Sequence, residues 1–409
     1  MNASIIPKKI SFDNLSLVSL LFISYLDFAP FFYIFLVIQI IVFLIKKNNL
    51  KFSLHFFIIS FPFIIALFGL INTSNFNQAF EDIGRLLPFI IFPFYLLLKS
   101  KEQWIEQKLI MFIFFIIGLI IHFLIDIISS CNLFLVTKNI NSFFYTNFDK
   151  DTNILSVIVA CSSLILAEFC IQEKNKHRFI FYFISMLLLI IFLMFLQSKV
   201  AQISLFLGLF LLIIFNRSNK KIAYVLFPIS LMIIIFFMPG FNSRFQTAIN
   251  NSQVIKLNKI QKKVPKDLSV EDYDFSENMR KIAIEGSISV IKNNILIGVG
   301  TGDWRDELTE WYKLNNHIKS YKDRTAPHNQ YIRIALKHGI VGLLYMGVFI
   351  FYGIKQARKT KNPGMFSILF ILIITSLGYD ILDVGTGAPS IAFLLSLFFI
   401  NPNNLIKIK

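Results

Sequence analysis

Charge is scarce in this chain. Only 16% of its 409 residues are Asp, Glu, Lys or Arg, against about 25% in ordinary globular domains. That shortage excludes a water-soluble fold with a conventional polar surface. Cysteine is nearly absent too, at Cys131, Cys161 and Cys170. Cys161 and Cys170 share one apolar run and as helix would stand about 13 Å apart, too far for a disulfide. They read as small apolar residues. No His and carboxylate grouping has metal-ligand spacing, so no metal site is expected. There is no Ser-His-Asp elbow, Walker loop or haem motif, and no internal repeat or low-complexity tract. Met1–Asn14 lacks the small-residue cleavage site of a removable signal.

What remains is hydrophobic. Apolar residues make up 56% of the chain and the mean hydropathy is +0.66. Long apolar runs recur without the alternation of barrel strands, so the backbone must satisfy itself as helix within hydrocarbon. The fold class is an all-α polytopic membrane protein. About twelve spans are expected, near 15–28, 30–46, 52–72, 84–98, 108–130, 153–172, 178–197, 199–216, 221–239, 333–354, 364–380 and 385–401. Counted alternately, they put both termini inside. The net charge of +16 then falls in short inner gaps, at Lys46-Lys47, Lys99/Lys101, Lys174/Lys176/Arg178, Arg217/Lys220/Lys221 and Lys355/Arg358/Lys359/Lys361. This is the positive-inside pattern of a protein that meets anionic lipids, and it argues against a nucleic-acid partner.

Three domains follow: helices 1–9 over 1–239, a large outer loop over 240–332 between helices 9 and 10, and helices 10–12 over 333–409. The loop is too long for a plain connection and should be mostly helical. Asp274 and Glu277 have capping-box spacing, and Met279, Ile282, Gly286 and Val290 recur at helical intervals. A helix over about 275–292 is expected. Asn293-Asn294 ends it, and 298–302 follows as a flexible turn. That Gly-rich turn lacks the surrounding βαβ unit and the third-glycine spacing of a dinucleotide site.

Few residues can carry chemistry. His328 follows Pro327, which favours a first helical turn. A helix running from about 328 into the membrane would place the ring at the positive end of the dipole, which disfavours imidazolium. A neutral ring can serve as a general base; equally, it can be an interfacial side chain that caps the helix. Arg280 can grip an anionic ligand with its planar fork. Lys199 follows Ser198 at the outer face, against the positive-inside trend, either as a ligand or as a snorkelling anchor. Arg85 follows Glu81 and Asp82 and can bind an anion or simply pair with them. His122 and Asp126 share a helix face within an apolar run. Asp380 and Asp383 flank the last outer turn, placed to meet an acceptor or a cation.

Two of these patterns coincide with a known signature. His328-Asn329, nine residues, Gly339, two residues and Gly342 complete the motif of the O-antigen ligases. The stretch 278–304 resembles the same family's loop, with Arg280 as its leading Arg and Ile295-Leu296-Ile297-Gly298-Val299-Gly300 as its turn without the usual Pro. The chain thus resembles the O-antigen ligase and polymerase superfamily over about 190–345 in detail, and elsewhere by topology.

That resemblance implies a glycosyltransferase of the bacterial inner membrane with its active site facing the periplasm. Its partners would be an undecaprenyl diphosphate-linked glycan as donor and a hydroxyl of lipid A-core, or another glycan, as acceptor. No cofactor, nucleotide or metal is implied. His328 would be the base that activates the acceptor, with Asn329, Gly339 and Gly342 in support; the glycine pair lets the helix bend or pack closely. Arg280, with Lys199 and Arg85, would hold the diphosphate. The family's second Arg follows a Ser where this chain has Ser198-Lys199, so the bidentate fork is lost there while the charge is kept.

A polymerase that extends lipid-linked repeats is the alternative within the superfamily. Its Arg, ten residues, Gly spacing does not follow Arg280, Arg305 or Arg324. A protein O-oligosaccharyltransferase would share the His motif. A transporter or flippase would show inverted halves with paired broken helices, which this chain lacks.

Overall fold

The structure is a computed structural model that describes residues 54–97, 101–137, 152–196, 198–215, 226–230, 276–360, 363–383 and 387–399, together with Val37 and Ile41. Its order is α1 (Leu54–Ile59), α2 (Phe61–Phe68), α3 (Phe76–Leu86), α4 (Pro88–Leu97), α5 (Lys101–Thr137), α6 (Thr152–Gln172), α7 (Lys176–Phe195), α8 (Lys199–Phe215), α9 (Ser276–Asn293), α10 (Trp304–Leu314), α11 (Ile318–Asp323), α12 (Gln330–Thr360), α13 (Pro363–Thr375) and α14 (Ala388–Phe399). No strand occurs among the described residues. The first expected span, the second apart from Val37 and Ile41, most of the ninth, Asp274 of the expected capping box and residues 240–275 of the outer loop lie outside the described residues.

Among the described residues four helices are long and apolar enough to cross a membrane, at Leu109–Asn132, Thr152–Gln172, Lys176–Phe195 and Gln330–Lys359. The chain is a multi-pass membrane protein. Helix α6 sits at the centre, packed by α7, α8 and α13. Its buried wall is rich in small residues, among them Ser156, Ala160, Cys161, Ser163 and Ala167. Without a hydrophobic drive between helices in lipid, such residues let backbones approach closely. Ser163 keeps its hydroxyl satisfied by donating to Val159 O at 2.8 Å. Cys161 and Cys170 are buried there, neither in a disulfide.

Two expected spans are divided. Residues 52–72 form α1 and α2, which meet at Ser60. The span expected from residue 84 starts later: α3 is a separate amphipathic helix and α4 begins at Pro88, where proline is tolerated because its missing N–H falls in the unbonded first turn. The expected helix over 275–292 is α9, and the short helices α10 and α11 follow it.

The element that positions everything else is a break within α12. At Gly339 the backbone turns to φ 60°, ψ −149°, a region open essentially to glycine alone. The break frees carbonyls and amides that a continuous helix would pair, and the 295–300 turn takes them. Val299 N donates to Leu336 O and Gly300 N to Lys337 O, both at 3.0 Å, while Ile340 N donates to Ile295 O at 2.8 Å. The turn expected to be flexible is therefore pinned. Gly298, at φ 69°, leaves no room for a side chain: a Cβ there would lie 2.4 Å from Lys337 C. On its other side the turn grips the end of α2, with Thr301 N donating to Gly69 O at 3.2 Å and Asn72 Nδ2 to Gly298 O at 2.9 Å.

Gly339→Ala should lower stability by about 1–3 kcal/mol from backbone strain alone. It should lose more through contact, since its Cβ would stand 2.5 Å from Ile295 O. Gly347→Ala, with nothing within 4 Å of the added atom, should be neutral or stabilising. Thermal unfolding of the two variants in one detergent checks the contrast.

Candidate active site

Helix α12 starts at Gln330, two residues later than the sequence suggests. The cap is Asn329, not His328: Asn329 Oδ1 accepts from Tyr331 N at 3.0 Å and Ile332 N at 3.1 Å. Its Nδ2 donates to Leu377 O at 2.9 Å, and Gln330 N donates to Ser376 O at 2.9 Å. These bonds lock the mouth of α12 to the end of α13.

His328 is thereby left outside the helix, in the left-handed region at φ 47°. Few non-glycine residues adopt it, and such strain collects at functional positions. The side chain is about half exposed, and its Nδ1 lies 3.5 Å from Asp380 Oδ1. Asp380 is buried, and its other oxygen takes Arg333 Nη2 at 2.5 Å. Burial alone would raise the Asp380 carboxyl; the Arg333 guanidinium and the His328 ring beside it together outweigh burial, so the group lies well below the ordinary carboxylate range. An ionised carboxylate beside Nδ1 favours the tautomer protonated there and leaves the Nε2 lone pair as the acceptor.

Beneath this pair runs a ladder of buried charge. Gln330, Arg333 and Lys337 share one face of the first turns of α12. The Arg333 guanidinium lies 4.4 Å from the centre of the Trp304 ring, a cation–π contact. Trp304 Nε1 donates to Asp82 Oδ2 at 3.0 Å. Lys337 Nζ reaches Asp82 at 2.9 Å and Asp383 at 2.7 Å. Gln330 closes the ladder, donating to Asp383 Oδ2 at 2.7 Å and accepting from Leu382 N at 2.9 Å. Asp82 lies on the buried face of α3, among Ala79, Ile83 and Leu86. Burial would raise it, but Lys337 and Trp304 hold it at about 2, against an ordinary 3.8.

The other sequence candidates divide. Arg85 pairs with Asp82 at 3.0 Å and Glu81 at 3.4 Å, so its local partners claim it and it forms the rim of the ladder. Lys199 opens α8 at the same end of the bundle: its neighbour Ser198 shares a hydrogen bond of 3.1 Å with Tyr379, which precedes Asp380. Arg280 is exposed near the start of α9, and no ion pair joins it to the His328 cluster among the described residues. Gly339 and Gly342 shape the break, Gly342 facing Ile334 and His338. His122 and Asp126 do meet, at 3.5 Å within α5, against Phe192 of α7. Asp380 and Asp383 meet cations of the chain itself. Sequence reading missed Arg333, Lys337 and Trp304. The available signal was two cations four residues apart at the head of an apolar span, where ionisable residues are functional candidates.

The fold and the site define a multi-pass membrane protein with a half-exposed His at the mouth of a spanning helix, backed by buried carboxylates and cations. Residues 184–347 match the family model described as O-antigen ligase, and this part of the chain is an O-antigen ligase family domain. The match contains Lys199, Arg280, His328, Asn329, Gly339 and Gly342, and stops short of Asp380 and Asp383. The family points to ligase- or polymerase-type transfer of lipid-linked glycans at a membrane. No curated protein matched the chain.

Lys337→Met should cost about 3–5 kcal/mol, because two buried carboxylates lose their shared cation; denaturant unfolding in detergent measures it. The Asp82 carboxyl is depressed on folding, so its ionised form stabilises the protein above about pH 4. That contribution should be lost as pH falls from about 4 through about 2. A stability–pH series should show the drop, and Asp82→Asn should flatten it.

Proposed function

We propose that the chain transfers a glycan from undecaprenyl diphosphate to a hydroxyl of lipid A-core, as an O-antigen ligase of the bacterial inner membrane with its active site in the periplasm. In this reading residues 240–332 are the periplasmic segment, between nine membrane spans over 1–239 and three over 333–409. The observation that carries the reading is His328, strained and half exposed, with Nδ1 turned to an Asp380 that Arg333 holds.

The chemistry follows from that geometry. The acceptor hydroxyl gives its proton to His328 Nε2 as its oxygen bonds to the anomeric carbon of the donor sugar. The bond from that carbon to the phosphate oxygen breaks, and the diphosphate leaves with the electron pair. Asp380 stabilises the imidazolium that forms and keeps the ring oriented; it is a positioning residue. Negative charge grows on the departing diphosphate, so cations near it lower the barrier. Arg280 and Lys199 serve there. Arg85 is the weakest of the three candidates, because Asp82 and Glu81 already engage it.

His328→Ala should reduce transfer by about 10²–10⁴-fold while thermal unfolding stays near that of the parent. Full retention would remove the base role. Purified protein supplied with a defined lipid-linked glycan and two acceptors, lipid A-core and a second lipid-linked repeat, should glycosylate the former. Extension of the latter would identify a polymerase.

A further inference from the structure

The 295–300 turn presents a second feature, separate from the site chemistry. Ile295, Leu296 and Ile297 project from it and are all exposed, Leu296 at 70%. Three consecutive exposed apolar residues on a loop are costly in water. They stand beside Ile340, Val341 and Leu344 of α12, also exposed, because Ile340 N and Val341 N donate to Ile295 O and Leu296 O. Ile71, 84% exposed, borders the same face: the next residue, Asn72, donates its side-chain amide to Gly298 O. The patch thus continues the outer wall of a helix long and apolar enough to cross a membrane.

Its level along α12 is defined as well. Residues 340–354 carry no charged side chain, and the charges of Arg333 and Lys337 lie before the break. The turn therefore sits where the hydrocarbon-compatible stretch begins. Non-helical backbone at that depth is tolerated only where its polar groups are paired. Here the break at Gly339 supplies the partners. On the far side, Lys292, Asn293 and Asn294 end α9 with polar side chains suited to the headgroup layer.

We infer that Ile295-Leu296-Ile297 is a lipid-inserted anchor, seated in the edge of the bilayer's hydrocarbon and holding the outer segment against the membrane at the His328 end of α12. The occupant of the patch is the acyl region of the bilayer. The inference rests on α12 as a membrane span and not on the glycan-transfer reading.

Fluorescence quenching in phospholipid vesicles tests it. Cys131 is exposed while Cys161 and Cys170 are buried, so a Cys131→Ser background admits one bimane label. Labels would be placed at Leu296→Cys, at Leu344→Cys as the lipid-facing reference, and at Lys313→Cys as the aqueous reference. The label at 296 should lose fluorescence to phosphatidylcholine brominated near the top of its acyl chains, as at 344, and resist aqueous iodide. Iodide quenching like that at 313 would overturn the inference. So would protection from both quenchers with crosslinking between two copies at 296, since a second copy would then cover the patch. Absence of lipid quenching at 344 would overturn the spanning role of α12 and the anchor with it. Ile297→Cys provides a second position if Leu296→Cys folds poorly. Glycan transfer is not read in any arm, so a loss of the anchor and a loss of the ligase assignment are distinguishable.

Discussion

A helix that breaks inside or beside a membrane exposes peptide groups that water cannot reach, and each must find a partner at a cost of several kcal/mol if it fails. Helix α12 breaks at Gly339, and the 295–300 turn supplies those partners. The rest of the site depends on this exchange. It brings the α9–α11 segment down onto the bundle, which carries Trp304 beneath Arg333, and the same turn holds the loop that starts α3, which delivers Asp82 to Lys337. One glycine conformation thus joins three parts of the chain that are far apart in sequence.

The charge ladder is the electrostatic counterpart of that joint. Asp82, Asp380 and Asp383 face Arg333 and Lys337 in a largely dehydrated place. Buried charges are tolerated only when paired and hydrogen-bonded, so each member restricts its neighbours to one arrangement. The restriction reaches His328 through Asp380. In the proposed reaction, a ring aimed by a carboxylate, itself aimed by a guanidinium, needs no adjustment when a substrate arrives, and such preorganisation is where electrostatic catalysis gains most.

Much of this was legible in the residues. The helix at Ser276–Asn293 follows from the apolar spacing of Met279, Ile282 and Val290, and its end from Asn293. The long apolar runs give spans at Thr152–Gln172 and Lys176–Phe195 within a few residues. Asp380 and Asp383 were visible as acids at an outer turn, yet their partners were not. Arg333 and Lys337 were hidden inside what reads as one span, because hydropathy averages over a window and two cations at its head barely lower the mean. The helix begins later than Pro327 suggests, because the hydrogen bonds that fix its start come from the Asn329 side chain.

The all-helical membrane class is written in apolar runs too long to be anything else. The His328-Asn329 and glycine spacing that marks the family is equally local, a property of the chain before it folds. What those residues do to one another came from packing. Asn329 became the cap, Gly339 a break filled by a turn some forty residues upstream, and His328 the partner of Asp380. Arg85 was drawn to Asp82 and away from open solvent. Pairings of this kind lie between distant segments, and they form only because backbone groups and charges removed from water must be matched by whichever partners the packed helices bring within reach.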